Sequence, residues 1–221
     1  MSILCDQLTR VLQPGMSVPD PIRSLYEWLE QTRRCVDTPQ RNRIGMLPAS
    51  WPTASRDFGP GTKVLFQADG NAHLHHWFGH SRPEVLNRLC VFARTGSDGS
   101  MGAFWLDDDG MQRIVQMGSG SGSTSVCILA EDPIDFLRLL AIGYDEICWS
   151  DDWSLTPQEA AMQAGGDFSG LNDEYNDWLM RTFAVSIPER GTEIVRHPSE
   201  MHEANTEDRF CQWVNKALRE S

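Results

Sequence analysis

Four histidines within eight residues, His73, His75, His76 and His80, are the side chains of this chain best placed to bind a metal. On a strand spanning 72–78, His73 and His75 would lie two residues apart on one face. Two imidazoles at that spacing bind zinc when one or two further ligands converge. No H-E-x-x-H pattern and no evident third ligand accompany them. They therefore read as half-exposed strand histidines, and no cofactor is expected.

Two other stretches invite a chemical reading. The run Gly118-Ser119-Gly120-Ser121-Gly122-Ser123 has the composition of a phosphate loop but not its G-K-[ST] ending. No lysine lies between Lys63 and Lys216, so the main charge partner of β- and γ-phosphates is missing. The run reads as a flexible connection in a sheet. It contains no G-x-S-x-G nucleophile elbow, and none occurs elsewhere. Asp107-Asp108-Asp109-Gly110 does not match the spacing of a calcium loop and reads as a solvated hairpin turn.

Recognition chemistry is better represented. Asp145, Glu146, Asp151 and Asp152 are interleaved with Trp149 and Trp153. Tryptophan supplies anchor area at a protein interface, and carboxylates steer a partner of opposite charge. These six residues are the candidate partner-binding set, with a solvated acidic turn as the plain alternative. Carboxylates adjacent on a turn do not fix the separation that a glycosidase pair requires, so catalytic residues are not assigned.

The elements that would position these groups follow from periodicity. A short helix is expected over 2–12. A second opens at Asp20-Pro21, with Asp20 as its cap and Ile22, Leu25, Tyr26 and Leu29 on one face. Residues 37–61 read as an irregular connection, with Trp51 as a possible anchor. Strands are expected over 63–67, 72–78, 89–95, 102–106, 111–117 and 124–130, joined by short polar turns into an antiparallel meander. Residues 81–84 read as a turn or short helix. Asp132-Pro133 then caps a helix that ends at Gly143. Beyond it come a capping box at Thr156–Glu159, a helix from Asn172 to Phe183, short strands over 185–187 and 193–195, and a final helix opened by Thr206. Phe210, Trp213, Val214, Ala217 and Leu218 give that last helix an apolar stripe. Helices before and after a block of strands indicate an α+β class.

Charge is divided unevenly along the chain. Residues 1–130 hold 12 Lys/Arg and 12 Asp/Glu, and residues 131–221 hold 7 and 19, so the back half carries the whole net charge of −12. Such a surface argues against nucleic acid as a partner and favours a basic protein. Eight tryptophans and a 40% apolar share indicate a packed core. The six cysteines form no C-x-x-C pair, and Cys90, Cys127 and Cys148 sit in apolar runs. No secretory signal and no membrane span is read from the sequence, and a cytoplasmic location is expected.

The segment Ile128-Leu129-Ala130, Asp132, Phe136-Leu137 and Gly143-Tyr144 resembles the core of the SUKH superfamily. Members share a strand, an acidic or serine cap, a helix with Phe-Leu near its start and a closing Gly-Tyr. Strands over 89–95, 102–106 and 114–115, and the helix starting at Pro21, extend the resemblance over about 18–149. It implies an α+β fold with helices packed on a mostly antiparallel sheet over 1–149, with 150–221 as an acidic, mainly helical extension packed on it. It further implies a non-enzymatic bacterial immunity protein that binds and occludes a cognate toxin, such as a nuclease or another polymorphic effector. A regulatory or scaffold protein-binding module of the same family is the alternative. The family has no catalytic residues to carry over.

Overall fold

Five of the six strands expected between residues 62 and 130 form, and each pairs antiparallel with its chain neighbour. The computed structural model describes residues 2–40, 42–48 and 59–219. Strands β1 (Cys35–Asp37), β2 (Arg43–Met46), β3 (Leu65–Gly70), β4 (Leu89–Arg94), β5 (Met101–Leu106), β6 (Gln112–Met117) and β7 (Val126–Ala130) form one sheet in that same order. The helices are α1 (Ile3–Val11), α2 (Asp20–Gln31), α3 (Leu74–Phe78), α4 (Pro83–Leu86), α5 (Pro133–Ile142), α6 (Pro157–Gln163), α7 (Asp173–Phe183) and α8 (Arg209–Arg219). The fold is α+β, with a C-terminal helix.

Both faces of the sheet are covered, so its strands bury side chains in both directions. On one face Phe66, Phe92, Phe104, Ile114 and Leu129 pack under α1, α2, α5 and α7. On the other, Leu89, Val91, Trp105, Val115 and Val126 pack under α3, α4 and α8. Strand residues alternate between these cores, as a pleated strand requires, except at the register shifts, where Phe92 and Ala93, and Leu129 and Ala130, enter the same core. Two-sided burial explains why 89–93 reads as one continuous apolar run. Residues beyond 150 feed both cores, with Trp153, Tyr175 and Leu179 in the first and Phe210, Cys211 and Val214 in the second.

The outer edge of β7 would expose unpaired N–H and C=O groups if left bare. The C-terminal segment covers it. Val126 N–H donates to Ser199 O at 2.8 Å, and Met201 N–H donates to Thr124 O at 2.8 Å. Ile128 N–H donates to Asp208 Oδ2 at 2.9 Å, while Asp208 Oδ1 accepts from Cys211 N–H at 2.8 Å. One carboxylate thus caps α8 and completes the sheet edge. Burial pushes the Asp208 pKa up, against the backbone N–H groups that favour its charged form.

Several local expectations need correction. Residues 74–78 are helical, so His73 and His75 do not share a strand face. Leu74 and Phe78, four apart, are both buried while His73 and His76 are exposed, which is helical burial within a histidine-rich run. β1 and β2 pair as an antiparallel hairpin, and β2 lies within the stretch 37–61 read as irregular; Trp51 lies outside the described residues. Asp20 is already inside α2, whose N-cap is Pro19 without a side-chain hydrogen bond. Residues 185–187 and 193–195 are not strands, and Gly191–Glu193 is a 3₁₀ turn. α8 starts at Arg209, with Thr206 Oγ1 accepting from Asp208 N–H just before it. The caps at Asp132, Thr156 and Asn172 form as their sequences indicate.

Candidate partner-binding surface

The acidic and aromatic exit of α5 is held by its own backbone geometry. Gly143 has φ +98°, and a Cβ there would lie 2.7 Å from Leu171 Cδ2. The left-handed turn sends Tyr144 inward. Its hydroxyl donates to Leu155 O at 2.7 Å and accepts from Gly191 N–H at 2.8 Å, tying the exit to two later segments. Asp145 and Glu146 then meet solvent. Asp145 pairs with Lys63 Nζ at 2.5 Å. Glu146 Oε1 accepts from Ser97 N–H at 2.7 Å, and its Oε2 accepts from Trp149 Nε1 at 3.0 Å.

Trp149 is 39% exposed, while the neighbouring Ile147 and Cys148 are fully buried. The indole is therefore presented at the surface from a rigid base, with its ring nitrogen fixed by Glu146. Two clefts meet at it. One, about 490 Å³, is lined by Ser123, Thr124, Asp151, Gln163 and Glu200 among others. The second, about 290 Å³, includes Asp145, Glu146, Ala161, Asp167 and Phe168. Trp149, Asp152 and Ala164 line both.

Asp151 and Asp152 sit in the 3₁₀ turn Ser150–Ser154. Asp151 is exposed and Asp152 is half-buried. Burial raises the Asp152 pKa, with the charge of Asp151 adding to the effect. Trp153 departs from expectation: it is 0% exposed and packs in the core, where a Cβ on Gly191 would lie 2.7 Å from its Cβ. It supports the surface from beneath and offers no area to a partner. Its burial follows from the 3₁₀ turn, which points residues 151 and 153 in different directions. The sequence spacing W-x-x-x-W carries no signal for which tryptophan is inside.

The Gly-Ser run builds one wall of the larger cleft and is ordered by a carboxylate. Asp98 Oδ2 accepts from Ser123 N–H at 2.7 Å, Ser119 Oγ at 2.8 Å and Ser100 Oγ at 3.0 Å, and its Oδ1 accepts from Ser100 N–H at 2.9 Å. Gly122 is needed for this close approach, since a Cβ there would lie 2.6 Å from Asp98 Oδ2. Ser123 Oγ then donates to Cys148 O at 2.6 Å, linking the run to the base of Trp149. Thr124 and Ser150 both donate to the Glu200 carboxylate. Sequence reading missed Asp98 because it pairs with residues about 20 positions away across the β4–β5 and β6–β7 turns. The alternating glycines were the available signal, since they permit close backbone approach.

No protein-family model, no curated protein and no solved structure matches this chain. The surface around Trp149 has a fixed geometry. It presents a fixed indole between two concavities, rimmed by carboxylates. Among the described residues, no group of three or more His, Cys, Asp or Glu side chains is placed to hold a metal ion. No helix among them is long and apolar enough to cross a membrane.

Proposed function

We propose that this chain is an immunity protein of the SUKH type, which binds a cognate toxin and occludes it without chemistry of its own. The surface around Trp149 is the contact in this reading. The observation that carries it is the half-exposed Trp149, clamped by Glu146 between two clefts in the half of the chain that holds the whole charge excess. A preorganised indole gives anchor area at small entropic cost. Asp151 and Asp152, for which no cation partner occurs among the described residues, supply the potential that speeds encounter with a basic partner. The SUKH resemblance of residues 128–144 supports the family assignment, and the antiparallel sheet with packed helices is compatible with it.

The test is co-expression with whatever toxin-like protein the neighbouring genes encode. Growth should be rescued, and the two proteins should co-purify. Rescue should fail with Trp149→Ala combined with Asp151→Lys, while the variant stays folded. Absence of both rescue and complex with the wild-type chain overturns the reading.

A further inference from the structure

A cleft of about 600 Å³ lies between α4, the β5–β6 turn and α8, and it shares no lining residue with the clefts beside Trp149. Four cations line it, Arg82, Arg88, Arg209 and Lys216, together with four carboxylates, Glu84, Asp107, Asp108 and Asp109. Arg88 is the centre of the group. Its guanidinium lies 5.5 Å from the ring centre of Trp105 and 5.1 Å from that of Trp213. Nε donates to Leu106 O at 2.7 Å, which fixes the plane of the fork. Nη1 donates to Asp108 Oδ1 at 2.6 Å, and Nη2 is buried with no hydrogen-bond partner. Trp105, only 2% exposed, also lines the cleft, and its indole N–H is likewise without a partner. Two buried donors at one cleft lack an acceptor, which is an uncompensated desolvation cost.

The acids around the cleft are not equivalent. Asp107 is built into its turn, accepting from the N–H groups of Asp109 and Met111 and pairing with Arg113. Asp108 is different: its side chain is 84% exposed, and it engages a single prong of Arg88. An exposed one-point pair of this kind contributes little and is readily exchanged. A guanidinium fork packed beside two aromatic rings and fixed at Nε is suited to a two-point oxyanion. Arg209 and Lys216, on α8, line the same cleft. Arg209 makes two long ion pairs, with Asp109 at 3.6 Å and Asp107 at 3.8 Å, and Lys216 is exposed.

We propose that this cleft is a binding site for a small ligand bearing an oxyanion, a phosphate monoester or a carboxylate. The oxyanion displaces Asp108 from the Arg88 fork, Lys216 adds charge at the mouth, and the body of the ligand lies against Trp213. Asp108 is then a tethered stand-in that occupies the seat when no ligand is present. The site is independent of the Trp149 surface, and neither reading depends on the other.

The experiment is a ¹H–¹⁵N NMR titration of the full chain that follows the Trp105 indole resonance, with phenyl phosphate, benzoate, inorganic phosphate and neutral phenol as probes. The expected result is a saturable shift with phenyl phosphate or benzoate, and the tighter of the two identifies the oxyanion. Asp108→Asn removes the competitor and should tighten binding about threefold to fivefold. Arg88→Gln should abolish the shift. Lys216→Ala, an exposed change that spares the fold, should weaken binding and keeps the test open if Arg88→Gln does not fold. The proposal is overturned by the absence of a saturable shift in both wild type and Asp108→Asn, by phenol binding as well as the anions, or by Asp108→Asn binding more weakly than wild type.

Discussion

Replacing Asp98 with alanine tests whether one carboxylate orders the Gly-Ser run and the base of the Trp149 surface. The side chain accepts four hydrogen bonds, at 2.7, 2.8, 2.9 and 3.0 Å, from Ser123, Ser119 and Ser100. Bonds to a charged acceptor contribute more than neutral ones, but Asp98 is partly exposed and water replaces some of them on loss. A net cost of about 2–3 kcal/mol follows at neutral pH. For a chain of this length that lowers Tm by about 4–12 °C. The pH dependence gives a second handle. Desolvation works to raise the Asp98 pKa, but the Ser123 and Ser100 N–H groups and the Ser119 and Ser100 hydroxyls outweigh it and hold it below the ordinary carboxylate value. With the folded pKa depressed, the electrostatic stabilisation is fully present above the unfolded pKa of about 3.9 and is lost as pH falls through the folded pKa. Urea unfolding of wild type and Asp98→Ala should therefore differ by a constant amount from pH 7 to about pH 5, and the gap should narrow below about pH 4, with m unchanged. A double-mutant cycle with Ser119→Ala should show coupling, since the Ser119 hydroxyl donates directly to the Asp98 carboxylate. A stability difference under about 0.5 kcal/mol at pH 7, or one that stays constant down to pH 2.5, refutes the reasoning.

Four further outcomes follow from the same contacts. Trp149→Ala should cost about 1 kcal/mol of stability or less, but weaken partner binding by at least about 2 kcal/mol in calorimetric titration. Trp153→Ala, which empties a fully buried site, should cost about 3–5 kcal/mol in urea unfolding. Gly143→Ala meets both φ +98° and a contact of 2.7 Å with Leu171, so it should lose about 1–3 kcal/mol, read as a fall in Tm. Asp208→Ala leaves the N–H groups of Ile128 and Cys211 without their acceptor. It should cost about 2–4 kcal/mol and speed amide exchange at Ile128.

The α+β class, most of the sheet and the helix starts capped at Asp132, Thr156 and Asn172 were legible in the chain because their signals are local. Asp132-Pro133, Thr156-Pro157 and Asn172 cap helices through atoms two or three residues away, so the bonds that stop each helix are encoded beside it. The strands 89–94, 101–106 and 112–117 are separated by turns in which the Asp98 and Asp107 carboxylates accept from backbone N–H groups of their own loop. The histidine-rich run was misread because five residues are too few to separate period two from period 3.6, and its helix is decided by Leu74 and Phe78 entering the second core. The β1–β2 hairpin was hidden for a related reason. Its strands have only three and four residues, and only β2 pairs onward with β3, so they gain little from propensity alone.

The candidate surface divides in the same way. The sequence by itself placed the acidic excess after residue 130 and put Asp145, Glu146, Asp151 and Asp152 next to two tryptophans, because charge and composition need no coordinates. Only the tertiary structure decided that Trp149 faces solvent while Trp153 is buried against Gly191, and that Asp98 gathers three serines from two turns. It likewise decided that Arg88 packs against both Trp105 and Trp213, residues more than a hundred positions apart. The physical reason is range. Caps, turns and charge are fixed by neighbours along the chain, whereas burial and ion-pair geometry are set by whichever segments the folded sheet brings together.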